Sequence, residues 1–245
     1  MRIFLLLLAT ATLVRADVGS TNVPADTILA RVLANRPMKD FSLKARLFVT
    51  RELVVPINVL VKNSATEAWT VYRSDKTQLL VVQPAHGAPR YYRQGVGELT
   101  GDQQLGKLLD SQFTFYDLGT PFLQWPNPKM VGDERMRGRD CFLIDVRATN
   151  QPYAHVKMWI DKEYTALLRA DAFNENDSPV KRLAVTSFKR IGDVWIPRAI
   201  ECASVPPGQT LPAEERSRLE IFEGNYDAQL PPDWFSPGCF GPTAR

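Results

Sequence analysis

The chain of 245 residues has little of the material from which most catalytic sites are built. Its only histidines, His86 and His155, lie far apart, neither in an H-E-x-x-H pattern, and no serine sits in a G-x-S-x-G elbow. Both histidines therefore read as structural. Cys141, Cys202 and Cys239 are too few for a disulfide framework and match no metal-ligand spacing. Three pairings remain open, of which Cys202 with Cys239 would tie the tail to the rest of the fold. An excess of one charge is also missing: 30 Lys and Arg stand against 27 Asp and Glu, which argues against nucleic acid as principal partner. Gly95-Val96-Gly97 lacks the strand–turn–helix setting of a phosphate-cradling loop. The neighbouring carboxylates Asp133-Glu134, Asp161 with Glu163, and Glu214-Glu215 fall at turns, where solvation accounts for them. The residues name no catalytic group, no metal site and no cofactor.

What is present begins with Met1-Arg2, an apolar run from Ile3 to Val14, and a small-residue approach to Asp17. That run is short of the ~20 residues needed to span a bilayer. Residues 1–16 read as a cleavable signal peptide, leaving 17–245 as one domain exported to the periplasm. No cysteine follows the apolar run, which argues against a lipid-anchored chain.

Ile28, Leu29, Val32 and Leu33 make an amphipathic helix over 25–36, stopped by Pro37. Phe41, Leu43, Ala45, Leu47 and Val49 then alternate with polar residues, marking a half-buried strand. Strand-like runs follow at 53–62, 67–73, 78–83 and 90–94. At 101–110, GDQQLGKLLD predicts a modest helix, and 113–128 is the most aromatic stretch in the chain. Strands resume at 141–148, and residues 153–202 hold four extended runs joined by short turns, which forces neighbour-to-neighbour antiparallel pairing. A proline-rich excursion and a last strand over 216–226 lead to a turn-rich tail whose Trp234 and Phe235 are expected to dock on the sheet. Arg135, Arg137 and Arg139 are expected to face solvent at a strand entry. The total is about ten or eleven strands with two or three short helices, an α+β arrangement dominated by antiparallel sheet.

The segments GDERMRGRDCFLIDV, YAHVKMWIDK, ALLRADAF, KRIGDVWIPRAI and RLEIFEGNYDAQLPPDWF, in that order behind a leader and a first helix, resemble the outer-membrane lipoprotein-sorting proteins of the LolA/LolB-like superfamily, in its divergent periplasmic branch. The resemblance runs from about Ala25 to Ser236. It implies a strongly curved, half-open antiparallel β-barrel with helices covering the concave face, no bond-making step and no cofactor. It implies a lipid or a lipoprotein acyl chain as ligand, with an inner-membrane release complex and an outer-membrane acceptor as partners. Leu43, Ala45, Leu47, Trp69, Val71, Phe142, Ile144, Val156, Met158 and Ile160 are the residues expected to line the hollow. By strand order, Arg73 is the counterpart of an arginine that holds the cover in such carriers, although the Arg-Pro pair usual there is absent. The same fold also serves as an envelope-stress sensor or adaptor that binds a membrane-protein partner, the alternative reading. Secretion of the full chain should yield a product starting at Asp17. An intact mass that retains the first sixteen residues contradicts that.

Overall fold

The computed structural model describes residues 2–3, 23–35, 37–205 and 216–242. The expected leader and the proline-rich stretch at 206–215 lie outside them, except for the two-residue strand β1 (Arg2–Ile3), which pairs in parallel with Val194–Trp195. Helix α1 (Ala25–Ala34) precedes a first meander of β2 (Phe41–Phe48), β3 (Val54–Asn63), β4 (Glu67–Arg73), β5 (Gln78–Pro84), β6 (Arg90–Arg93) and β7 (Gly97–Leu99). After the short helix α2 (Phe115–Gly119), a second meander contains β8 (Lys129–Met136), β9 (Arg139–Arg147), β10 (His155–Asp161), β11 (Leu167–Phe173), β12 (Pro179–Ile191), β13 (Val194–Ser204) and β14 (Arg216–Tyr226).

All of these strands belong to one sheet, ordered β7-β6-β5-β4-β3-β2-β14-β13-β12-β11-β10-β9-β8 with β1 beside β13. The first meander runs outward from the middle to β7 and the second runs inward from β8, and the antiparallel pair β2 and β14 joins them, Phe41 opposite Tyr226 and Leu47 opposite Leu219. The sheet stays open, because β7 and β8 are its two edges. This is the half-open antiparallel architecture the sequence implied. Its additional strands are β1, which falls in the expected leader, and β7 and β8, which were hidden by glycine in GVGEL and by the charged, non-alternating KMVGDERM. The expected helix at 101–110 is instead two 3₁₀ turns, Gly101–Leu105 and Leu108–Asp110, broken at Gly106. A side chain at Gly106 would collide with Phe115, so the chain bends there to let the aromatic segment pass.

The topology dictates the position of that segment. Chain leaving edge strand β7 must reach the opposite edge strand β8, and it does so across the concave face. Residues 100–128 therefore lie between the walls of the sheet, and Phe113, Phe115, Tyr116, Leu118, Phe122, Leu123 and Trp125 are buried in the main core. Helix α1 adds Ala25, Ile28, Leu29 and Val32 to the same core and packs against the Pro121–Gln124 turn. Asn35, just past α1, donates through Nδ2 to the Tyr164 carbonyl (3.0 Å), which ties the helix to the β10–β11 turn.

A second, smaller core forms on the outer face of β3 to β6, where Leu60, Val71, Leu80, Val82 and Tyr92 meet Phe235 and Phe240 of the tail. The apolar run Leu79-Leu80-Val81-Val82 accordingly divides, Leu79 and Val81 facing inward and Leu80 and Val82 meeting the tail. Cys202 and Cys239 are not bonded; all three thiols are free. Cys202 points into the concave core and donates to the Gln112 carbonyl (3.2 Å), whereas Cys239 is exposed in the tail, so a Cys202–Cys239 bond would have to pass through the sheet. Burial pushes the Cys141 thiol up to about 11. The Cys202 thiol is raised further still, chiefly by burial.

The crossover runs so close to the sheet that a Cβ on Gly119 would overlap the Tyr91 hydroxyl, which donates to the Tyr116 carbonyl (3.2 Å). Gly119→Ala should therefore destabilise the fold by about 1–3 kcal/mol through overpacking, measured as a lower urea midpoint. Unchanged stability would mean that the crossover is not held against β6.

Candidate functional site

The concave face is an apolar hollow that the protein fills with its own aromatic crossover. Of the residues expected to line it, Leu43, Ala45, Leu47, Ile144, Val156, Met158 and Ile160 all sit in the main core at 1% exposure or less, and Phe142 packs against it. Their strands keep the parity the alternation predicted. Trp69, Val71 and Arg73 do not join them. Val71 and Trp69 belong to the outer cluster beneath the tail, and the Arg73 guanidinium stacks on Trp234 (4.6 Å) while its Nε donates to Gln78 Oε1 (3.1 Å). The inward residue of β4 is Tyr72. Both faces of this strand are covered, so both carry apolar side chains and alternation alone does not fix which is inside.

Arg73 therefore cannot hold the cover. The cation that reaches it is Lys181 on β12, whose ammonium lies 2.7 Å from Asp117 of α2 with both side chains almost fully buried. Asp117 Oδ2 also accepts from the Thr114 amide (3.0 Å) and hydroxyl (2.6 Å), and Oδ1 accepts from the Tyr153 hydroxyl (2.7 Å). The Asp117 amide returns a bond to Thr114 Oγ1 (3.1 Å), a reciprocal cap that starts α2. One carboxylate thus meets four donors, three at Oδ2 and one at Oδ1, which makes its burial tolerable. Further ties come from Tyr116 Oη to Gln151 Oε1 (2.7 Å), Ser204 Oγ to Gln112 Oε1 (2.7 Å), and the Gln112 amide to Ser217 Oγ (2.9 Å).

Lys181 was legible in principle. It occupies the inward parity of Lys181-Arg182-Leu183-Ala184-Val185, a lone charge on an otherwise apolar stripe. Burial works against its ammonium, but the Asp117 carboxylate outweighs that, and its pKa lies above the ordinary 10.5. Burial, with Asp117 beside it, raises the Tyr153 phenol well above 10.0.

Strain marks the same segment. Leu109, Asp110, Thr120 and Asn127 all have positive φ, and Thr120 is β-branched, fully buried, and has no hydrogen-bond partner for its hydroxyl among the described residues. An apolar recess of about 290 Å³ opens between α1 and the β3–β4 and β5–β6 turns, lined by Ala30, Leu33, Met38, Ala65, Ala85 and His86. His155 sits on the outer face. Its Nδ1 lies 2.7 Å from Asp145 and its Nε2 2.6 Å from Asp177, and its ring stacks on Phe173, which makes it a structural clamp on the 174–178 turn.

The open, curved sheet with a helical and aromatic cover is the fold of the LolA superfamily, as the comparisons bear out. The chain is similar to a DUF1329 family protein from Desulfovibrio piger (16% identity, TM-score 0.68, covering 83% of this chain and 92% of that one). It is similar also to a domain from Vibrio parahaemolyticus named as an outer membrane lipoprotein-sorting protein (15%, 0.68, 83% and 92%). A LolA superfamily protein from Nitrosomonas europaea matches at 15% identity and TM-score 0.58, covering 88% and 98%. No curated protein matches the sequence. A family model described as an uncharacterized protein family matches residues 93–239, more than half of the chain, and the chain belongs to that family.

The stability that the raised pKa values of Tyr153 and Lys181 contribute is complete below pH 10.0. Above it the unfolded chain releases protons that the native state retains, so stability falls as pH rises. Urea midpoints on either side of pH 10.0 should show this loss, and Tyr153→Phe should lessen it, the remainder coming from Tyr72, Tyr91 and Tyr116, whose phenols burial also raises. An equally steep loss in that variant would place its origin elsewhere. Lys181→Ala, which leaves a buried carboxylate unpaired, should cost about 3–5 kcal/mol.

Proposed function

We propose that this protein is a non-enzymatic periplasmic carrier that binds one hydrophobic chain, a lipid or the acyl moiety of a lipoprotein, in the concave face of its sheet. The observation that carries this reading is that the hollow is covered by a separable segment, residues 100–128, rather than by another sheet. Its aromatic side chains stand where an acyl chain would lie. Carriage through water requires hiding apolar surface worth ~0.8 kcal/mol per methylene, and exchanging one apolar filling for another supplies that without exposing the walls. The positive-φ positions along the segment and the orphan Thr120 hydroxyl lower the cost of moving it. The recess at Leu33 and Met38 offers an apolar entrance.

Similarity in fold to a domain named for outer membrane lipoprotein sorting supports the same reading. The leader read at residues 1–16 supports the periplasm as its place of work. On this reading the donor is an inner-membrane release complex and the receiver an outer-membrane acceptor. Leu43, Ala45, Leu47, Phe142, Ile144, Val156, Met158 and Ile160 become the ligand wall once the crossover withdraws, with no cofactor taking part.

The test is native mass spectrometry of the mature chain with a palmitoylated peptide. The wild-type protein should take up one acyl chain. Asp117→Asn, which weakens the hold of Lys181 on the cover, should bind at least about tenfold more tightly, because less free energy opposes opening. Absence of binding in both forms overturns the carrier reading.

A further inference from the structure

The convex face of the second meander carries a recess of about 350 Å³ whose walls are four arginines: Arg137, Arg169, Arg182 and Arg216. Among the described residues, two carboxylates pair with them. Asp171, 7% exposed, is gripped by both Arg169 and Arg182, each through Nε and Nη2. Glu201 reaches Arg216 only loosely, at 3.7 Å. Arg137, at the β8–β9 turn, donates to the backbone carbonyls of Val185 (3.4 Å) and Thr186 (3.1 Å) and has no carboxylate partner among the described residues. Among the described residues, the balance is two positive charges beyond the two carboxylates around one recess.

The grip on Asp171 gives these charges direction. A guanidinium has five N–H donors in a planar fork, and using two on Asp171 leaves three on each of Arg169 and Arg182. Arg169 is fixed further by lying over the Trp159 ring (4.4 Å), whose indole N–H donates to Glu134 (2.9 Å). The two forks are thus held before any ligand arrives, so little side-chain entropy remains to be lost on binding. Asp171 keeps its charge: burial opposes it, but Arg182 and Arg169 bring its pKa below the ordinary 3.8. The recess between the arginines is floored by Leu168, Ala184 and Ala203. Solvation alone, as expected for Arg137 from the sequence, does not require it to cross from its own turn to β12.

We propose that this recess is a binding site for a phosphate-type dianion, a phosphomonoester or diphosphate group, on the face of the sheet opposite the hollow. Two net positive charges match the dianion, and several guanidinium forks converging on a small recess match its tetrahedral oxygens. The apolar floor accepts whatever nonpolar part adjoins the phosphate. The group is presented either by a membrane headgroup or by a soluble phosphorylated molecule, and the chemistry of recognition is the same.

Isothermal titration of the purified mature chain with sodium pyrophosphate tests this. One equivalent should bind, with affinity falling as salt rises. The double variant Arg137→Gln/Arg216→Gln, altered only at exposed side chains, should bind at least about tenfold more weakly. Arg46→Gln, which removes an exposed arginine over Phe222 on a different part of the sheet, should bind as the wild type does. Co-flotation with phosphatidic acid vesicles, whose headgroup is a phosphomonoester, but not phosphatidylcholine vesicles, abolished in the double variant, assigns the group to a lipid headgroup. Pyrophosphate binding without flotation assigns it to a soluble molecule. No pyrophosphate binding by the wild type at millimolar concentration, or equal affinity in wild type and double variant, overturns the proposal. Should the double variant not fold, a pyrophosphate-induced rise in the wild-type melting temperature supports the site, and no rise overturns it.

Discussion

An open sheet whose chain must travel from one edge to the other depends on where that connection goes. Here it crosses the concave face, and one buried ion pair, Lys181 with Asp117, fixes it there. The meanders pair at β2 and β14 in the middle, so β7 and β8 end at opposite edges, and no short connection along one rim can join them. Filling the concave face with the connection itself buries the inward side chains of both meanders in one contiguous core. The pair adds specificity more than stability, since a buried ion pair costs much of what it gains. Together with the Thr114 cap and the Tyr153 hydroxyl, it selects one placement for a segment that apolar packing alone would leave free to slide.

The two faces of the sheet thereby acquire different chemistry. The concave face is apolar and covered by a segment with several strained residues, attached by a small number of polar ties. The convex face is covered over β3 to β6 by the tail, with Phe235 and Phe240 packed on it. Over β9 to β12 it carries exposed polar groups, the His155 clamp and the arginine recess. On the proposed function, an interior that its own chain vacates and an exterior that reads charge would suit the molecule to moving an amphiphile between surfaces.

Much of the architecture was legible in the sequence because the physics that sets it is local. Alternation placed Phe41 to Val49 and Val156 to Ile160 on their correct faces, and short turns between strands left antiparallel neighbours as the only pairing. The helix over 25–34 followed from the spacing of Ile28, Leu29 and Val32. The candidate site was legible in part. Of the residues expected to line the hollow, most face the concave core, but Trp69, Val71 and Arg73 lie on the other face. Strand β4 is apolar on both sides because the tail covers the outer one, and a covering segment more than 150 residues away leaves no local trace. For the same reason the Cys202–Cys239 pairing could not be excluded until the two cysteines were seen on opposite sides of the sheet.

The sequence by itself determined a meandering antiparallel sheet, its central strand faces, and the absence of a recognised catalytic motif. These follow from periodicity and composition, which act over a few residues. Only the tertiary structure decided that the aromatic segment fills the hollow, that Lys181 rather than Arg73 holds it, and that four arginines from separate strands and turns converge on one recess. Those facts depend on strand order and on which distant segments cover each face, and closing such contacts is a property of the whole chain.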